Sequence, residues 1–265
     1  MTAQTIDRGE TQTPDRDIPA VPMTRLIRVE LRKLVDTRSG FWLLVTIGLV
    51  TAAAVAIFLF AADADELTYG NFVGVTASPQ GVLLPVLGIM AVTTEWTQRT
   101  SLVTHALEPN RVRIAIAKLV ATLLIGALFV ALALGFAALA NVIGISSFDG
   151  DGSWEFFGWE GLRNSGLLQL AGLVQGLAFG MLLMNTAAAI VLFFVLPTVT
   201  GIVFGLVERL ADVAPWIDLG TAQAPLFTTG TVDGEEWLQL LTSSLIWIVL
   251  PLAAGTFRLL RREIK

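Results

Sequence analysis

NSGLLQLAGLVQGLAFGMLLMNTAAAIVLFFVLPTVTGIVFGLV, residues 164–207, runs for 44 residues without an Asp, Glu, Lys or Arg. As one helix it would measure about 66 Å at 1.5 Å per residue, roughly twice the ~30 Å hydrocarbon core of a bilayer. Two crossings joined by a tight turn fit that length, and Asn185 with Thr186 lie where the turn belongs. The run therefore divides into spans at about 166–185 and 187–207. The same criterion, about 20 mostly apolar residues per crossing, places further spans at about 41–62, 74–94, 119–143 and 237–257. Pro85 falls inside the second of these six and requires packed neighbours to accommodate it. Residues 219–232, with Gly220, Pro225 and Gly230, are too few to cross and read as either re-entrant or external.

Composition agrees with lipid as the solvent. Of 265 residues, 54% are hydrophobic and 15% charged, against roughly 25% charged in soluble domains, and the mean hydropathy is +0.72. The formal net charge of −5 offers no global basic field for nucleic acid. With no cysteine and one histidine, thiolate chemistry, disulfides and imidazole metal clusters are excluded. Residues 1–22 are polar, contain Pro14 and Pro19, and read as a disordered tail ahead of a single membrane domain, 23–265. The expected fold is all-α and polytopic, with six transmembrane helices.

Orientation follows from Lys and Arg, which are enriched on cytoplasmic segments. With both termini inside, all of the 17 Lys and Arg except Arg163 and Arg209 fall on the inner side. Residues 23–38 are amphipathic at helical spacing: Met23, Leu26, Ile27, Leu31, Leu34 and Val35 share a face, and Arg25, Arg28, Arg32 and Lys33 lie elsewhere. They read as an elbow helix lying in the inner interface before the first span, or as a basic flank that only sets topology.

The inner loop between the second and third spans, EWTQRTSLVTHALEPNRVRIAIAK, residues 95–118, carries the most information. Thr100 can cap a short helix, Leu102, Val103, Ala106 and Leu107 line one face of it, and Pro109 stops it. Such a helix is either a docking knob or a solvated connection. His105, on its polar side, reads as solvent-facing or partner-facing, since no other His or Cys can join it.

This stretch resembles the permease subunits of type-2 ATP-binding-cassette transporters. Their second span ends in an acidic-aromatic pair, followed by a Thr, small amphipathic turns, a Pro, one or more Arg and an Ala-Lys. Here those positions are Glu95, Trp96, Thr100, Pro109, Arg111, Arg113, Ala117 and Lys118; Arg99 stands where many members have Gly, a variant similar to actinobacterial members. Glu30 and Lys33 resemble the acid and base of the family's elbow helix. The resemblance implies that Glu95, Arg99, Thr100, Leu102, Val103, Ala106, Leu107, Pro109 and Arg111 form a coupling helix docking into a separate ATPase subunit. The chain lacks a GxxxxGK[ST] loop, so ATP and magnesium are expected on that partner, with no catalytic residue, cofactor or metal here. A second permease copy, or a related permease, completes the implied assembly in the cell membrane.

Small residues recur every four positions at Gly172, Gly176 and Gly180, and at Gly201 and Gly205, a spacing that lets helix backbones approach, within one subunit or across a dimer seam. Trp154, Phe156, Phe157 and Trp159 read as an interfacial belt or as a substrate gate. The spans hold the amides Asn141, Gln169, Gln175 and Asn185 but, by these boundaries, no ionisable residue near a midplane, which disfavours proton-coupled transport. The expected function is export of an amphipathic or apolar compound using ATP hydrolysed by the partner. A non-transporting scaffold is the alternative, and a membrane-embedded enzyme is disfavoured because no acid pair, His cluster or Ser with a base is available.

Overall fold

The computed structural model describes residues 21–97, 108, 110–155, 158–227 and 232–261. Every regular element among them is helical. Backbone polar groups are therefore satisfied within each segment, the condition a lipid environment imposes. Six helical segments, Arg38–Ala61, Tyr69–Trp96, Arg111–Ser147, Gly158–Leu183, Thr186–Leu206 and Gly234–Arg261, are long and apolar enough to span a membrane.

Helix α1 (Met23–Asp36) leads into α2 (Arg38–Ala61) through the single extended residue Thr37, whose hydroxyl accepts the Gly40 N–H at 3.2 Å. A Cβ at Gly40 would overlap the Leu34 carbonyl, so glycine is what lets the chain fold back this sharply. Helices α3 (Tyr69–Thr97), α4 (Arg111–Ser147), α5 (Gly158–Leu183) and α6 (Thr186–Leu206) follow. Short helices α7 (Ala214–Ile217) and α8 (Leu219–Phe227) come next. The last crossing is composite: α9 (Gly234–Ser244), a π-helical turn at Leu245–Val249, and α10 (Leu250–Arg261).

The centre of the bundle is the α3–α5 pair, the most extensive helix contact in the chain. Half of the most apolar stretch of α5 is buried (50%), against 11% of that of α6. Glycine spacing explains the difference. A Cβ at Gly176 would strike the carbonyl of Pro85, one at Gly180 would lie 2.8 Å from the carbonyl of Ile89, and one at Gly172 would touch the Pro85 ring at 3.4 Å. The backbones of α3 and α5 are thus in direct contact, and α5 accommodates the proline-bearing helix through its glycine face. At Gly201 and Gly205 a Cβ would meet nothing within 4 Å. Within the chain, among the described residues, these two glycines face open space rather than a neighbouring helix. Leu49, Ile57 and Phe60 on α2, and Val195, Ile202 and Leu206 on α6, are likewise exposed, as lipid-facing surfaces are.

The chain breaks between α5 and α6 at Met184 and Asn185. Met184 takes a left-handed φ of 52°, Asn185 caps α6 by accepting the Ala188 N–H at 3.0 Å, and Thr186 already belongs to the helix. Several helices overrun their expected limits: α5 begins at Gly158 rather than at 166, and the last crossing runs Gly234–Arg261 rather than 237–257. Helix α3 covers 69–97 rather than 74–94, and α4 begins at Arg111 rather than at 119. At 37 residues α4 is about 55 Å long, more than a hydrocarbon core requires. Its early start carries Lys118 into the helix, where counter-charges await it.

Candidate functional site

Two polar sites lie at opposite ends of the bundle. At the end where α3 finishes and α4 starts, four side chains from three helices close an ionic ring. Lys33 on α1 meets Glu30 one turn earlier at 2.7 Å and reaches Glu95 on α3 at 2.6 Å. Lys118 on α4 meets Glu30 at 2.6 Å and Glu95 at 2.9 Å, and also donates to the Ala91 carbonyl at 3.3 Å. Two positive and two negative charges cancel. Glu30, Glu95 and Lys118 are 6%, 7% and 4% exposed, so each of these groups faces an opposite charge rather than water. Beside the ring lies a cavity of about 340 Å³, lined by Leu34, Leu87, Met90 and Thr122 among others.

Neighbouring basic residues fasten helix ends. Arg111 donates to the carbonyls of Leu259 and Leu260 at 2.7 and 3.3 Å, and Arg258 donates to the Leu182 carbonyl at 2.7 Å. The Leu182 carbonyl belongs to the final turn of α5, where carbonyls lack intrahelical partners and carry partial negative charge. Arg113 pairs with Glu108 at 3.1 Å and also donates to the Val21 carbonyl.

Of the expected coupling residues, Glu95 and Arg111 are described, and both bind within this chain. Arg99, Thr100, Leu102, Val103, Ala106, Leu107 and Pro109, with His105, lie outside the described residues. The structure brings Glu30 and Lys33 together with Glu95 and Lys118, a link between α1 and the two ends of the connector that sequence spacing does not reveal.

The second site is at the far end. Helix α8 packs against α5, α6 and α9, and encloses with α3, α5 and α6 a cavity of about 660 Å³. Its lining is largely apolar and aromatic, including Val73, Leu168, Phe193, Phe227 and Trp247. The Trp247 indole, on the π-helical turn, donates to the Ile217 carbonyl at 2.6 Å and fixes α7 against the last crossing. Polar side chains punctuate this wall, among them Ser165, Gln169, Gln175, Thr200, Asp218 and Gln223. Asp218, 4% exposed, accepts the Thr200 hydroxyl at 2.6 Å through Oδ1, and the Thr221 N–H and hydroxyl, each at 2.8 Å, through Oδ2. Gln169 donates to the Ala77 carbonyl at 2.8 Å while its Oε1 has no partner. Gln175, 6% exposed, lines the cavity as well.

Sequence reasoning registered Gln169 and Gln175 only as intramembrane amides and did not single out Asp218. The available signal was an acid set within the apolar context Trp216–Ile217 and Leu219–Phe227, three residues before a Thr able to share its cap. The Trp154 cluster falls partly outside the described residues; Trp154 stacks on Tyr69 with ring centroids 5.5 Å apart, and Trp159 is exposed.

Fold and sites together define a helical multi-pass membrane protein with a buried charge ring at one end and a drug-sized cavity at the other. No protein-family model matches the chain, and no curated protein matches it.

Proposed function

We propose that this chain is the membrane-spanning permease subunit of an ATP-binding-cassette transporter. It exports an amphipathic compound across the cell membrane using ATP hydrolysed, with magnesium, by a separate ATPase subunit, and works beside a second permease copy or a related permease. Both termini and the 98–110 connector lie in the cytoplasm in this reading, as the distribution of Lys and Arg favours.

The observation that carries the proposal is the Glu30–Lys33–Glu95–Lys118 ring. The connector leaves α3 two residues after Glu95 and enters α4 at Arg111, two turns before Lys118, so the helix on each side of it is tied to α1 by short ionic contacts. A push on the connector from a docked partner is thereby passed to three helices at once, because a buried, mutually satisfied ring resists being pulled apart. A flexible, solvated connection has no need of buried anchors on both sides.

The test is reconstitution with the ATPase encoded beside this chain and measurement of vanadate-sensitive hydrolysis. Arg99→Glu with Leu107→Asp, which spares the Arg111 contact to α10, is expected to reduce both subunit association and hydrolysis at least tenfold. Unchanged association and hydrolysis would overturn the coupling assignment and favour a scaffold instead.

A further inference from the structure

The far-end cavity contains an imbalance that the ring at the other end does not. Asp218 is a buried carboxylate with three neutral donors and, among the described residues, no ion pair. Its position before α8 accounts for part of this: Oδ2 caps the helix through Thr221, and the helix N-terminus favours a negative charge. Capping does not require the charge, however, since asparagine caps as well as aspartate. Nor does it account for Oδ1, which is held by Thr200 on a different helix and not by the α8 backbone.

Neither Arg163 nor Arg209 pairs with Asp218 among the described residues. Arg163 on α5 binds the Asn164 amide oxygen at 3.1 and 3.0 Å and stacks over Trp237 at 5.1 Å, while Arg209 is exposed. The cavity wall thus presents one uncompensated negative charge. Gln175, nine-tenths buried and on the same wall, forms no side-chain hydrogen bond among the described residues, and its carbonyl is free to accept an N–H. Phe193, Phe227 and Trp247 line the cavity with aromatic rings, and aromatic faces attract cations in a desolvated site. The volume of about 660 Å³ is in the ~300–1,000 Å³ range that takes drug-sized ligands.

We infer that this cavity is a binding site for a monocationic amphiphile, an ammonium or iminium group bearing at least one N–H on an apolar body, with Asp218 as its counter-ion and Gln175 as its hydrogen-bond acceptor. A buried acid facing a cavity without a paired protein cation among the described residues attracts such a ligand because the low dielectric that makes an unpaired charge costly also strengthens its attraction to an opposite one. As the substrate class of the transporter this rests on the permease reading above; as a binding site it stands on the cavity alone.

The experiment uses the full chain, without any ATPase, in phosphatidylcholine nanodiscs. Fluorescence anisotropy follows binding of rhodamine 6G, a cation with two N–H groups, and of rhodamine 19, its zwitterionic free acid on the same ring system, with empty discs subtracted. Saturable binding of rhodamine 6G at least tenfold tighter than rhodamine 19 is expected. Asp218→Asn, which keeps the cap, should erase that preference, and Ser78→Trp, placed at an exposed position of the cavity wall, should abolish binding of both dyes. Absence of saturable binding, a charge preference that survives Asp218→Asn, or binding that survives Ser78→Trp would each overturn the inference. Should Asp218→Asn fail to give a monodisperse protein, the wild-type preference and Ser78→Trp decide. Since no nucleotide enters the assay, a negative result removes the cation site and leaves the coupling proposal to its own test.

Discussion

The two ends of this bundle bury charge in opposite ways. At the ring, Glu30, Lys33, Glu95 and Lys118 bring their own counter-ions, all contacts falling between 2.6 and 2.9 Å. At the cavity, Asp218 has hydrogen bonds and no counter-ion among the described residues. A neutral, closed ring is finished: it has nothing left to offer a ligand, and its work is to hold α1, α3 and α4 in register. A lone carboxylate on the wall of a cavity is unfinished, since its hydrogen bonds are complete and its charge is not. Burial by itself therefore does not mark a binding site; uncompensated burial beside open volume does.

The largest expected effect breaks the ring. Lys118→Met leaves Glu30 and Glu95 buried with only half-exposed Lys33 between them, a loss of about 3–5 kcal/mol. The apparent thermal midpoint of the purified protein should fall by about 10 °C or more. Replacing the ring as a whole, with Glu30→Gln, Lys33→Met, Glu95→Gln and Lys118→Met together, removes every charge at once and should recover most of that loss. If the single and the quadruple variants melt alike, the ring is not the self-compensating unit described here.

A smaller effect tests the seam that both regions share. The cavity opens between α3 and α5, and the ring grips the end of α3, so the register of these two helices matters to both. Gly176→Ala puts a methyl into the Pro85 carbonyl. It should cost about 1–3 kcal/mol, as overpacking does, and lower both the thermal midpoint and rhodamine 6G affinity. Gly201→Ala, with open space around it, should be neutral or stabilising by up to ~1 kcal/mol, because alanine is the better helix former. Equal melting of the two variants would show that the α3–α5 backbones are not in contact.

Much of this architecture was legible in the sequence because hydropathy is additive along the chain. The uncharged run at 164–207 needs no tertiary information to be read as two crossings, and the glycine repeat at 172, 176 and 180 lies where α5 meets α3. At 201 and 205 the same spacing meets no helix of this chain among the described residues: spacing identifies a smooth helix face, and not what packs on it. Charge is where reading along the chain fell short. Lys118 set the limit of the third span, since a single charge stops a hydropathy window, while in three dimensions Glu30 and Glu95, far away in sequence, neutralise it inside the helix. Asp218 was missed for the opposite reason. It lies in a segment too short to cross a membrane and so looked like ordinary loop acidity, although α8 folds back against α5 and α6 and buries it.

The smallest expected effect separates the two jobs Asp218 performs. Asp218→Ala removes both the cap on α8 and the acceptor for Thr200, so it should cost about 1–2 kcal/mol. Asp218→Asn keeps an acceptor for the Thr221 N–H and removes the buried charge, so its thermal midpoint should match the wild type within about 2 °C or rise slightly. The two variants should nevertheless share one phenotype, loss of the preference for rhodamine 6G over rhodamine 19. A stable Asp218→Asn protein without charge preference would show that the carboxylate is kept for its charge, since an amide serves the fold equally well. If Asp218→Asn is instead as unstable as Asp218→Ala, the negative charge is needed by the α8 N-terminus itself, and the contrast between a finished ring and an unfinished site narrows to one of geometry.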